Sequence, residues 1–310
     1  MFNSKKYLNN YSDLTKNGIT IKNARSHFFM HGLSENRTDN DICFHTFTPK
    51  QKKIVLFTNA RDESNLKEWC VHHLLLGFDC IYIFDHLSEK PIIQELYNFD
   101  PRICVFRINI TSKVKDICIN NAINIARSIH SEWMLYLDAD EFLVLNNHSN
   151  VKDFLSEFNC DLISINWLMF GTNSFIKQPP GLLMSNFIKS DLKLNFHVKT
   201  FVKPRCIIKP IVQHTYEIRG IGKNVNKEII KPNPFIQNNI EYNLTPAYIA
   251  HYLYQSEEVY MFRKVNRNTD TGGKRSFDKN LHTYHNEIEN TSVKEKYSER
   301  IENYLKEREL

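Results

Sequence analysis

Trp133-Met134-Leu135-Tyr136-Leu137-Asp138-Ala139-Asp140-Glu141-Phe142-Leu143-Val144-Leu145 decides how this chain is read. Apolar and aromatic residues run straight into three carboxylates, and the chain returns at once to Phe-Leu-Val-Leu. A run of this kind, rich in aromatic and branched side chains, reads as a strand buried on both faces. Charge appears at its end, and in open α/β sheets ligands bind beyond the carboxyl ends of strands. In extended geometry Asp138 and Asp140 share a side. Adjacent acids repel and are costly to desolvate unless a cation joins them. A hard divalent ion shared with phosphate oxygens does this at nucleotide sites. A solvated acidic turn fits the same residues, so the rest of the chain must decide.

Upstream, residues 52–59 read as a first buried strand and 60–65 as a polar loop. Residues 66–76 carry helical apolar spacing at Leu66, Trp69, Cys70, His73 and Leu76, with Gly77 as a stop. A second strand, 80–84, ends at Asp85. A helix after Pro91, a third strand at 102–107 and a helix at 113–130 lead into the acidic stretch. Strand and helix in alternation predict an α/β fold, a Rossmann-like mostly parallel sheet with flanking helices. Thr58, Asn59 and Asp85 then share a rim with Asp138 and Asp140. No Gly-x-Gly-x-x-Gly follows the first strand, and no Gly-x-x-x-x-Gly-Lys-Ser/Thr occurs, which argues against dinucleotide and P-loop sites.

Beyond residue 150 the pattern changes. Residues 161–170 read as a strand, 171–174 as a turn, and 197–204 as an alternating strand. Residues 217–245 look loop-like. Residues 247–252 lead to a helix start at Ser256-Glu257-Glu258, and Thr271-Gly272-Gly273 breaks that helix. The expected organisation is an N-terminal extension (1–50, partly ordered by 27–30 and 42–44) and a domain over 51–270. That domain divides into two halves, 51–145 and 146–270, and a charged helical tail follows over 271–310.

The chain has 310 residues, 42% of them hydrophobic, enough for one large domain. Its 40 basic and 35 acidic residues leave a net charge of +5, too weak and too dispersed to argue for nucleic acid. No apolar run approaches the roughly 18 residues of a membrane span, and Met1-Phe2-Asn3-Ser4-Lys5-Lys6 does not open a signal peptide. A soluble, cytoplasmic protein is expected. The seven cysteines form no Cys-x-x-Cys pair and read as reduced, buried small hydrophobes.

Taken together, these segments resemble glycosyltransferases of the GT-A fold, closest to family-2-like and family-92-like enzymes. The resemblance rests on Arg61-Asp62-Glu63, Leu66-Lys67-Glu68-Trp69 with His72-His73, and Gly77-Phe78-Asp79. It continues through Asp85 to Lys90, Trp133 to Phe142, Trp167 to Thr172, His197 to Pro204, and His251-Tyr252 with Ser256-Glu257-Glu258. It spans residues 52–270. Asp62 stands where the family has Asn, and His86 and Lys90 stand where it has Asn and Asp.

The resemblance implies a metal-dependent transfer of a sugar from a nucleotide diphosphate, a UDP-sugar first, to a hydroxyl of a glycan, glycoprotein or other acceptor, with inversion. Mn²⁺ or Mg²⁺ would be held by Asp138, Asp140 and His251, since imidazole suits Mn²⁺. The donor would lie among Thr58, Asn59, Arg61, Glu63, Asp85, Asp138 and Lys199. Trp167, Phe170 and Gly171 would form an acceptor platform, although Trp in a strand is usually core. Asp191 and Glu217 are the candidates for the base. His197 and His214 are weaker metal candidates, and His72 and His73 are expected to pack and cap. A degenerate sugar- or protein-binding module and a nucleotidyltransferase are the competing readings.

Overall fold

A computed structural model describes residues 4–32, 35, 37, 54–109, 113–267 and 275–308. The expectations for 42–44 and for the break at 271–273 lie outside the described residues. In the first half, β1 (Ile54–Ala60), β2 (Cys80–His86), β3 (Ile103–Ile108) and β4 (Trp133–Tyr136) run parallel in the order β3-β2-β1-β4. Ile54, Leu56, Ile81, Ile83 and Leu135 pack on one face with the helix Leu66–Leu75. Val55, Phe57, Tyr82, Met134 and Tyr136 pack on the other with the helix Val114–Ser128. Both faces are covered, which is why these strands are apolar without alternation. The register pairs Phe57 with Tyr136 and Ala60 with Asp85, so the carboxyl ends share one rim.

The acidic stretch is not one strand. The Glu141 N–H donates to the Asp138 carbonyl at 3.0 Å, closing a turn in place of the extended geometry expected through Asp138 and Asp140. The chain then re-enters a sheet as β5 (Glu141–Leu145). The second half adds β6 (Leu162–Met169), β7 (Lys189–Ser190), β8 (Val198–Val202), β9 (Ile207–Ile211) and β10 (Thr215–Ile218). After these come β11 (Gly222–Asn224), β12 (Ile229–Ile230), β13 (Ala247–His251) and β14 (Ile288–Glu289). The main sheet runs β12-β11-β6-β8-β4-β1-β2-β3, with β8 antiparallel to both neighbours. β13 lies between β5, antiparallel, and β6, parallel, and sets His251 beside Glu141 and Met169.

The other edge of β5 is satisfied by side chains. Trp69 Nε1 donates to the Glu141 carbonyl at 2.7 Å and His72 Nε2 to the Leu143 carbonyl at 2.8 Å. The Leu143 N–H donates to His73 Nε2 at 3.3 Å, so His73 Nδ1 carries the proton given to the Trp69 carbonyl at 2.8 Å. The Leu145 N–H donates to Tyr297 Oη at 3.2 Å, and Lys296 Nζ donates to the Leu145 carbonyl. The helix Leu66–Leu75 is therefore buried nearly all round, including Glu68, whose carboxylate accepts the Leu183 and Met184 N–H groups at 2.6 and 3.0 Å. Gly77, at φ +93°, ends the helical segment in a conformation that favours glycine.

Residues read in the sequence as a charged tail form a packed helix, Ser292–Arg308, which buries Val293, Tyr297 and Ile301. In the N-terminal extension, Tyr7, Leu14 and Phe28 join the main core. Among the described residues no helix is long and apolar enough to cross a membrane. Five of the six described cysteines are buried.

Burial pushes His72 down to about 4, the Leu143 hydrogen bond opposing it only in part. The folded chain keeps this ring neutral while the unfolded chain protonates it below about 6.5, so its contribution to stability is lost as pH falls from 6.5 towards 4. His72→Gln keeps a donor for the Leu143 carbonyl but cannot titrate. In urea denaturation the variant should be less stable than wild type at pH 7.5, and the gap should narrow by about 2 kcal/mol at pH 4.5.

Candidate active site

A cleft of about 820 Å³ opens at the carboxyl ends of β1, β4, β6 and β13, with Asn59, Asp138, Asp140, Trp167 and His251 in its wall. The acidic turn at its floor is pinned from three sides. Asn65 Nδ2 donates to the Ala139 carbonyl at 2.9 Å and the Tyr252 N–H to the Asp140 carbonyl at 2.9 Å. Glu141 Oε2 accepts the Asp138 N–H at 2.9 Å.

The two aspartates have different surroundings. Asp138 pairs with Lys115 Nζ and with Lys199 Nζ, both at 3.1 Å. Burial opposes its charge, but the two ammonium groups outweigh burial and hold the carboxyl well below the usual carboxylate range. Lys199 is fully buried and also lies 3.2 Å from Glu141 Oε2. Burial there pushes Glu141 up to about 7 despite Lys199. Asp140 presents Oδ2 to Arg263 Nη2 at 3.0 Å and Lys264 Nζ at 3.8 Å, and Oδ1 to His251 Nε2 at 3.6 Å. Burial again opposes its charge; Arg263, Lys264 and His251 outweigh it and keep the carboxyl ionised. Arg263 Nη2 also reaches Glu63 Oε1 at 2.9 Å.

Other residues expected at the site are spread more widely. Asn59 and Arg61 line the cleft, and Asn59 Oδ1 accepts the Tyr136 hydroxyl at 3.0 Å. Glu63 lines it too, paired as above. Thr58 is fully buried beneath this rim. Asp85 is buried inside the protein: its oxygens accept the Ser88 and Ile92 N–H groups, each at 3.0 Å, and Arg107 lies 3.3 Å away. Both its oxygens are thus committed to the loop after β2, while His86 beside it reaches the cleft. Asp62 is paired with Arg267 and accepts the Glu89 N–H at 2.7 Å, tying the loops after β1 and β2 together. The charge that Asp62 adds is therefore neutralised within the chain.

In the second half of the chain, Trp167 faces the cleft between the stacked ring of His197 (4.7 Å) and the edge of His251 (4.3 Å). Phe170 is fully buried against Tyr252, and this packing leaves it no face for a sugar. At Gly171 a Cβ would lie 2.4 Å from Asn286 Oδ1 and 2.5 Å from the His285 carbonyl, so its role is close approach of two loops. Glu217, on β10, is half-exposed and pairs with Lys209 at 3.2 Å, outside the cleft wall. Asp191 lies behind the wall with its carboxylate on His285.

Sequence reasoning did not single out Lys115, Arg263, Arg267, Arg275 and His285, which all line the cleft, and read Lys264 only as part of a helix. Arg263, Lys264 and Arg267 follow the Ser256-Glu257-Glu258 helix start within a few residues, and that basic spacing downstream of His251 was the available signal. Among the described residues no group of three His, Cys, Asp or Glu side chains converges as a metal set.

The profile of glycosyltransferase family 92 matches residues 118–306, more than half of the chain, and the chain belongs to that family. A search of curated proteins gives no match. Similar solved structures include S. aureus TarS 1–349 (18% identity, TM-score 0.33, 49% of this chain and 47% of that chain). The same TarS fragment in complex with UDP-GlcNAc gives 15% identity, TM-score 0.31, and coverage of 49% and 45%. HddC from Yersinia pseudotuberculosis gives 12% identity, TM-score 0.30, and coverage of 82% and 100%. The match spans less than half the length of these TarS chains.

Removing the buried ammonium beneath the turn tests the electrostatics. Lys199→Met leaves Glu141 without its cation and Asp138 with one. It should cost about 3 kcal/mol in denaturant unfolding at pH 7.5. The loss should be smaller at pH 5.5, because Glu141, raised to about 7 even with Lys199 in place, is then protonated in both folded proteins and no longer needs the cation.

Proposed function

We propose that this chain transfers a sugar from a nucleoside diphosphate donor to a hydroxyl acceptor with the assistance of a divalent metal. The observation that carries this reading is the Asp138–Asp140 turn of a family-92 chain, set among Lys115, Arg263 and Lys264 at the sheet rim. A cleft of this size suits a nucleotide sugar. Its cationic wall suits a diphosphate, whose charge grows as the glycosidic bond to phosphate breaks. Uridine is the first nucleotide to test, as the sequence resemblance implies, and inversion rests on the same resemblance.

The residues present fit a metal through two ligands rather than three. Asp140 Oδ1 and His251 Nε2 face one another at 3.6 Å, beyond a hydrogen bond, and offer the hard oxygen and imidazole nitrogen that Mn²⁺ accepts. Asp138 contributes neither oxygen, since Lys115 and Lys199 hold both. One carboxylate plus substrate phosphates is an ordinary set for such an ion. When bound, the ion supplies Lewis-acid stabilisation of the leaving diphosphate. Arg263 and Lys264 steady the Asp140 carboxylate and turn positive charge towards the phosphates. Trp167, with His197 stacked on it, walls the acceptor side. The buried turn keeps the Asp140 carboxylate in one position, so none of its binding energy is lost in ordering a mobile loop.

Release of UDP, GDP or CMP from UDP-, GDP- and CMP-sugars, with and without Mn²⁺, tests the reading. One donor class should be turned over only with Mn²⁺, and Asp140→Asn should lower kcat/KM by about 100-fold or more. Turnover that persists in EDTA and in Asp140→Asn would remove the metal from the reading. Absence of turnover with every donor would remove the transferase itself.

A further inference from the structure

The structure assigns His285 as the base that accepts the proton of the acceptor hydroxyl, with Asp191 as its positioning residue; this rests on the transferase reading above. His285 lines the same cleft as Asp140. Its Nδ1 lies 2.8 Å from Asp191 Oδ2. An ionised carboxylate only accepts hydrogen bonds, so Nδ1 must carry a proton, and in the neutral ring Nε2 then keeps the lone pair. Among the described residues Nε2 makes no hydrogen bond. A neutral imidazole oriented by a carboxylate is an effective proton acceptor near neutral pH.

The loop that carries His285 is built rigidly. Its backbone is left-handed at φ +58°, an uncommon conformation for a non-glycine residue. Asn286 holds the loop from within, donating to the His282 and Tyr284 carbonyls at 3.0 and 2.8 Å, while its Oδ1 accepts the Asn173 N–H at 3.1 Å. His282 Nδ1 meets Thr172 Oγ1 at 2.8 Å. Gly171 lets the loop approach, since any side chain there would strike the His285 carbonyl and Asn286. The His285 ring stacks on Tyr254 at 5.5 Å. Asp191 is anchored in turn by its own N–H on the Met169 carbonyl at 3.0 Å, at the end of β6. Several elements therefore converge to hold one imidazole at the wall of the cleft.

The step balances without a further reactant. Nε2 takes the acceptor hydroxyl proton as the acceptor oxygen forms its bond to the anomeric carbon. The bond from that carbon to the diphosphate oxygen breaks, and its electron pair leaves with the nucleoside diphosphate. Asp191 stabilises the resulting imidazolium, which returns its proton to water.

The test uses the full chain with the donor that wild type turns over. His285→Gln should bind the nucleoside diphosphate within threefold of wild type by calorimetry, yet lose about 100-fold in kcat for transfer. His285→Gly suits the left-handed backbone, and added imidazole should restore part of its activity, which a merely structural role would not allow. Asp191→Asn should lower kcat with little change in donor KM. Transfer by His285→Gln within threefold of wild type would overturn the assignment, as would a His285→Gly variant that binds nucleotide normally and is not rescued by imidazole. Wild type that turns over no donor would instead fail the transferase reading, and this assignment with it.

Discussion

The unpaired edge of β5 is the constraint on which the cleft depends. A strand edge in the interior must find partners for every N–H and carbonyl it presents. Here the partners are an indole, two imidazoles, a phenol and an ammonium, contributed by Trp69, His72, His73, Tyr297 and Lys296. Side chains fill a place that a further strand would otherwise take. They fix β5 at its first residue, Glu141, and so fix the turn that ends there. Asp140 stands in position because its backbone carbonyl and the strand after it are both committed.

The same turn carries an electrostatic problem solved within the chain. Three carboxylates fall within four residues at the sheet rim, Asp140 and Glu141 buried and Asp138 half-buried, which would be prohibitive for isolated charges. Lys199 enters from β8 beneath Asp138 and Glu141, Lys115 approaches from the helix Val114–Ser128, and Arg263 bridges Asp140 to Glu63. The charges come from well-separated parts of the sequence, so the cluster exists only in the assembled fold.

Legibility in the sequence followed the range of the interactions. β1 to β4 and the helices between them were readable because burial on both faces leaves continuous apolar runs, and Gly77 marks a real break. The β5–β13 pairing was not, because it joins Glu141 to residues far along the chain, and 217–245, just before β13, reads as loop. The acidic residues announced themselves by ending an apolar run, whereas Lys115 and Arg263 look like any solvent-facing helix residue. Asp85 shows the opposite error: an acid at a strand end reads as a ligand, yet its oxygens serve the backbone of the next loop. Gly171 is similar, since a glycine after Trp167 and Phe170 suggests room for a ligand, while the space is taken by the loop around His285.

The contact between Leu145 and Tyr297 spans 152 positions in sequence. Contacts this distant close late in folding, after shorter loops have formed. During synthesis β5 leaves the ribosome long before the helix Ser292–Arg308 exists. In that interval the strand has an apolar body and one edge only partly sealed, the feature that recruits stray strands from other chains. The last helix of the described chain therefore acts as a closing latch, and this edge of β5 stays only partly sealed until that latch is made.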